Sequence, residues 1–306
     1  MKVAILFFSL CLPAVADLAA GQQALKRGDY AAALKEFLPL AKQGNAVAQF
    51  NLGLMYDEGH GVPRNYTEAV RWYRKAAEQG DAAAQNNLGS MYVKGHGVQQ
   101  DYAEAVRWYR KAVEQGEPTA QNNLGLMYDH GDGVQQDYAE ALRWFRKAAE
   151  QGDATAQFNL GVTYKFGNGV PQDYAEALRW YRKAAEQGEV TAQFNLAVMY
   201  DDGDGVPQDY TEAVRWYRKA AEQGQASAQF NLGLMYARGE GLPQDYVQAH
   251  VWVNLAASRA SGDDQRKFAH ERDFLAGKMP PQQVAEAQRL AREWKPKTSE
   301  SGVRAR

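Results

Sequence analysis

The side chains able to do chemistry in this sequence are few and scattered. There are five histidines, at positions 60, 96, 130, 250 and 270. Nucleophilic or metal-centred catalysis needs such groups converging at one site, each within hydrogen-bond or ligand reach of the next. His60 and His96 stand in equivalent places 36 residues apart, which in stacked helices means about 10 Å, far beyond a shared ion at ~2.0–2.1 Å per ligand. Two acidic runs, Asp201-Asp202-Gly203-Asp204-Gly205 and Asp129-His130-Gly131-Asp132-Gly133, faintly echo a calcium loop. Neither has the glutamate at the twelfth loop position, so turn formation explains them better. The single cysteine, Cys11, excludes a disulfide framework and any cysteine-based zinc site. No metal, cofactor or catalytic residue is expected.

What remains is repetition. Gly44, Gly80, Gly116, Gly152, Gly188 and Gly224 are spaced by 36 residues, and so are Trp72, Trp108, Trp144, Trp180, Trp216 and Trp252. Six units therefore run over residues 44–259 without insertion. Residues 80–115 read GDAAAQNNLGSMYVKGHGVQQDYAEAVRWYRKAVEQ. Each unit predicts two antiparallel helices, A and B. Helix A starts after Asp81, an N-cap, and places Ala84, Leu88, Met91 and Tyr92 at helical spacing. Gly95 ends it, and Gly97 frees the following loop. Helix B opens on a capping box, Asp101 with Glu104. It buries Tyr102, Ala105, Val106, Tyr109, Ala112 and Val113 and turns Glu104, Arg107, Arg110, Lys111 and Glu114 to solvent. The glycine inside helix A (Gly53, Gly89, Gly125, Gly161, Gly233) costs about 1 kcal/mol against alanine, so its recurrence predicts close helix contact; Ala197 in one unit says that smallness is the requirement. The tryptophans, beside the helix B stripe, are expected to pack between repeats. The recurring Asn51, Asn87, Asn123, Asn159, Asn195 and Asn231 either bond neighbouring helices or grip a peptide backbone.

The ends differ from the array. Lys2, the apolar run Val3–Leu12 and Ala14-Val15-Ala16 have the form of a cleaved signal peptide over residues 1–16. Removing it leaves a net charge of −3 and no thiol. Residues 17–43 form a divergent helix pair with a shorter loop at Gly28, in register with the first unit through Tyr30, Ala33, Phe37 and Ala41. Residues 260–295 predict two capping helices, and 296–306 a disordered tail. The formal charge of −2 gives no footprint for nucleic acid, and no segment after the leader is apolar enough to cross a membrane. An exported protein is expected, periplasmic first and secreted second, and a monomer.

The stretch VTAQFNLAVMYDDGDGVPQDYTEAVRWYRKAA, residues 190–221, with its copies over about 240 residues, resembles the Sel-one-like repeat, a relative of the tetratricopeptide repeat. The resemblance implies an all-α, right-handed α-solenoid whose A helices line a concave surface. It also implies an adaptor function, since members act in signalling, secretion, envelope maintenance and host contact. One secreted branch that binds or hydrolyses β-lactams carries a cysteine pair in each repeat; this chain has none, so that activity does not carry over.

The positions that vary between repeats lie on helix A, away from its Leu and Tyr stripe. A strip of exposed phenylalanine rimmed by mixed charge is the expected partner surface: Phe50 and Asp57, Asn86 and Lys94, Asn122 and Asp129, Phe158 and Lys165, Phe194 and Asp201, Phe230 and Arg238. The function expected is a non-catalytic protein-interaction scaffold of the bacterial envelope. The alternatives are a secreted host-protein-binding factor, a β-lactam-binding hydrolase and a peptidoglycan binder.

Overall fold

A computed structural model describes residues 16–297. The leader expected at residues 1–16 therefore lies, but for its last residue, outside the described residues, as does the tail from 298 onward. Among the described residues there are sixteen α-helices and no strand. The chain divides into two units, residues 1–135 and 136–306. The first holds α1 (Leu18–Lys26), α2 (Tyr30–Lys42), α3 (Ala46–Glu58), α4 (Tyr66–Glu78), α5 (Ala82–Lys94), α6 (Tyr102–Glu114) and α7 (Pro118–His130). The second holds α8 (Tyr138–Glu150), α9 (Ala154–Phe166), α10 (Tyr174–Glu186), α11 (Val190–Asp202), α12 (Tyr210–Glu222), α13 (Ala226–Arg238), α14 (Tyr246–Arg259), α15 (Gly262–Ala276) and α16 (Pro281–Glu293). Each unit is an α-solenoid of antiparallel helix pairs. Odd-numbered helices up to α13 are A helices and even-numbered ones up to α14 are B helices. Inside a unit each helix up to α15 packs on its neighbours in sequence.

In four pairs the seam is a glycine under an aromatic ring, and in the last Gly233 meets Val253 instead. A Cβ on Gly53 would stand 2.6 Å from the ring of Tyr73, and Gly89 and Gly161 face Tyr109 and Tyr181 in the same way. In the divergent first pair Gly21 meets Phe37, which occupies the tyrosine position. The alanine in this place, Ala197, is fully buried, as smallness requires.

The seam between pairs uses a second glycine. Gly97, at φ +71°, lies so close to the start of α4 that a Cβ would come within 2.3 Å of the Tyr66 carbonyl oxygen. Polar bridges reinforce it. Buried Gln49 donates to the carbonyl of Ala41, at the end of the preceding B helix, and accepts from Gln79 at the end of its own B helix. Arg74 donates to the Tyr92 hydroxyl of the next A helix at 2.7 Å, and Arg110 to Tyr128 at 3.0 Å.

The B-helix caps differ from expectation in one half. Asp101 accepts from the amide of Glu104 at 2.9 Å, as a capping box requires. The reciprocal bond is absent, because the Asp101 amide donates to the Tyr92 carbonyl at 3.0 Å and Glu104 pairs with Arg107. That amide closes the loop back onto helix A, and the same bond recurs at Asn65, Asp173, Asp209 and Asp245.

α15 and α16 both pack on α14. Trp294 meets Trp252 edge to face at 6.2 Å, under the Arg259 guanidinium. At the end of the described residues the Lys297 amide donates to the Glu222 carbonyl at 2.8 Å, and its ammonium pairs with the Glu222 carboxylate at 2.9 Å.

Candidate interaction surface

Helix A is crowded on most sides, so few of its side chains are free to meet a partner. Ala48, Leu52 and Met55 of α3 are buried, and so are the equivalent residues of the other repeats, with Thr163 in place of methionine in one. Phe50, Phe158 and Phe194 are half-buried, each tilted against the B-helix tyrosine of its own pair: Tyr73 at 6.0 Å, Tyr181 at 5.8 Å and Tyr217 at 5.9 Å. One side of each ring is thus spent on the seam.

Three positions expected on the open strip are closed. Phe230 is 6% exposed, because Phe268 of α15 lies flat on it at 4.2 Å. Asn86 and Asn122 are buried as well. Asn86 accepts from the side chain of Asn123 in the next A helix at 2.8 Å, so its carbonyl holds neighbouring repeats together. A small amide at this position sinks into the helix contact, where the larger phenylalanine does not.

The charged positions lie at the C-terminal end of the A helices. The Tyr73 hydroxyl donates to Asp57 at 3.3 Å, and burial raises the Asp57 pKa above the ordinary carboxylate value. In α11 the Tyr217 hydroxyl donates to Asp201 at 3.1 Å and accepts from Asn231 at 3.0 Å. Burial raises Asp201 in the same way, and Asp129 too. Desolvation first, and the facing aspartates second, push both tyrosine hydroxyls upward. Lys94 and Arg238 are exposed, and Lys165 is half-buried. The set therefore mixes aspartates, two of them bonded to buried tyrosine hydroxyls, with cations.

Sequence reasoning undervalued two aromatic rings. Phe166 at the end of α9 is 64% exposed and Phe274 of α15 is 55% exposed. Phe166 was visible as a varying residue of helix A. Phe274 sits outside the repeat, where no register marks it, although Phe268 and Leu275 seven residues apart already define the buried face of α15.

The remaining candidates serve the scaffold. His60 stacks on Tyr30 at 4.2 Å and His96 on Tyr66 at 4.4 Å, each tying a loop to the preceding B helix. Among the described residues no group of three His, Cys, Asp or Glu side chains is placed to hold a metal. Trp72, Trp108, Trp180, Trp216 and Trp252 are buried. Lysine ammoniums lie over the first four rings, as Lys75 does on Trp72 at 4.7 Å and Lys111 on Trp108 at 4.2 Å. No described helix is long and apolar enough to cross a membrane.

The family model described as Sel1 repeat matches residues 46–81, 82–117, 118–153, 154–189, 190–225 and 226–261. Among solved structures, a Sel1 repeat protein from Oxalobacter formigenes is 37% identical, with a TM-score of 0.75 over 80% of this chain and 100% of its own. The protein c5321, a protective antigen of uropathogenic Escherichia coli strains displaying an SLR fold, is 32% identical. Its TM-score is 0.50, over 87% of this chain and 72% of its own. No curated protein matches the chain.

Proposed function

Because this chain belongs to the Sel1 repeat family, whose members generally mediate protein–protein interactions, we propose that it is a non-catalytic scaffold of the bacterial envelope that holds a partner protein or peptide on its A-helix face. It is exported by its N-terminal leader, acts in the periplasm and works as a monomer. The contacting residues are Phe50, Asp57, Lys94, Asp129, Phe158, Lys165, Phe194, Asp201 and Arg238.

One observation carries this reading. The buried leucine of helix A is the same in every repeat: Leu52, Leu88, Leu124, Leu160, Leu196 and Leu232. On the A-helix face the position of Asp57 runs Asp, Val, Asp, Lys, Asp and Ala through the six repeats. A surface needed only for solubility has no use for half-exposed rings at Phe50, Phe158 and Phe194, whereas a binding surface uses them as anchors. The test is in-cell crosslinking with mass spectrometry, comparing the native chain with a Phe158→Ser/Phe194→Ser variant. The expected result is one dominant crosslinked protein that is lost from the variant. Undiminished crosslinking by a folded variant overturns the assignment of this face. A fusion of residues 1–30 to a reporter active only outside the cytoplasm tests export.

A further inference from the structure

A pocket of about 610 Å³ opens in the second unit where α13, the start of α14 and α15 meet. Its apolar lining comes from Phe230, Leu234, Leu275 and the exposed Phe274. Its charged lining is three cations, Arg238, Lys267 and Lys278, against one carboxylate, Glu271. Arg238 is matched by Glu240 at 3.6 Å. Neither lysine has a carboxylate in ion-pair range among the described residues. Instead the Lys267 ammonium stands 5.2 Å from the centre of the Phe230 ring, and that of Lys278 stands 4.9 Å from the centre of the Phe274 ring. The rings hold both cations at the edge of an apolar depression, with their attraction for an anion unspent.

We propose that this pocket receives an acidic peptide segment of the partner, with an apolar or aromatic side chain seated on Leu234 and Phe274 and flanking carboxylates held by Lys267 and Lys278. The proposal rests on the protein-binding reading above and names the chemistry of the partner. Charge complementarity selects the occupant. A basic segment meets two unmatched lysines, and a bare phosphate leaves the apolar lining unused. The non-repeat helix α15 and the turn that follows it supply the two unmatched lysines, so the cap that closes the array also gives its A-helix face a distinct end.

The probes are three fluorescein-labelled dodecapeptides read by fluorescence anisotropy on the full chain. One carries Phe and Leu between Asp and Glu. The second keeps the apolar residues between Lys and Arg. The third keeps the acids around Gly and Ser. The first is expected to bind at least about tenfold more tightly than either of the others. Lys267→Glu with Lys278→Glu is expected to reverse the preference between the first two peptides, a gain for the basic one that mere unfolding cannot produce. Phe274→Ser weakens the first peptide and leaves the charge preference intact. Equal binding of the first and second peptides, equal binding of the first and third, or no effect of the charge reversal overturns the proposal. Inorganic phosphate that displaces the first peptide as well as the third peptide does also overturns it. If in-cell crosslinking is lost in Phe158→Ser/Phe194→Ser but untouched by the charge reversal, the scaffold reading stands and the acidic-segment proposal falls; if neither variant changes it, both fall.

Discussion

The ring of Phe268 lies on the ring of Phe230 at 4.2 Å, with only 19° between their planes. A residue outside the repeats thus covers the last member of the phenylalanine series. The equivalents of Phe230 in the second unit, Phe158 and Phe194, remain half-buried on their own tyrosines.

That contact separates binding from stability. Phe230→Ala is expected to cost about 3–5 kcal/mol, the range for removing a buried aromatic ring. Phe158→Ala and Phe194→Ala should cost less, because part of each ring is already in water. Urea midpoints for the three single variants check this. A Phe230→Ala midpoint no lower than the other two contradicts the covered geometry.

Leu124→Ala should destabilise the first unit by ~2–5 kcal/mol, since Leu124 is buried in α7 at 1% exposure. Lys111→Ala should stay under about 1 kcal/mol: its ammonium is in solvent, and what it loses is a contact with the Trp108 ring. Equal losses measured by chemical denaturation would mean that the faces are misassigned.

Buried Gln49 joins two helix ends, and Gln49→Leu removes both of its bonds, leaving the Ala41 carbonyl with the Gly44 amide alone; the expected cost is about 1–3 kcal/mol. The last repeat differs. Arg259 stands where the other B helices end in Gln, and the Gln229 side-chain oxygen is buried without a partner. Gln229→Leu removes that orphan as well as one bond, so it should cost less than Gln49→Leu. Thermal melts of the two variants decide it.

His250 takes a position that is Val or Leu in the other B helices, at 1% exposure, and its Nδ1 has no partner. Burial first, and Arg272 second, hold its pKa below the ordinary 6.5, while Asp273 pulls the other way. The unfolded chain then binds the extra proton, so this contribution is full above about pH 6.5 and falls as the pH drops toward the folded value. Tm should therefore decline more between pH 7 and pH 5 for the native protein than for His250→Val. Parallel declines would remove His250 as the cause.

The repeat was legible because its rules are local and recur every 36 residues. The close helix contact at Gly53 and the Asp101 N-cap each follow from residue type and spacing, and each has its counterpart in the structure. The burial of Phe230 was not legible, because Phe268 covers it from a helix that shares no register with the repeats. Asn86 and Asn122 were misjudged because alternation with phenylalanine looks like surface variation, although the smaller side chain sinks into the helix contact. The capping box formed only on the Asp101 side, because the Asp101 amide is taken by the Tyr92 carbonyl and the Glu104 side chain by Arg107.

Most hydrogen bonds between helices here link residues no more than one repeat apart, but Lys297 reaches back to the end of α12. That bond closes a long loop around α13 to α16, and breaking any one of those helices releases the others from it. Such a closure welds the C-terminal segment into one cooperative block, while a nearest-neighbour array otherwise opens helix by helix. Native-state hydrogen exchange should accordingly find the amides of α13 to α16 opening together, at a shared free energy, and those of α1 and α2 opening on their own.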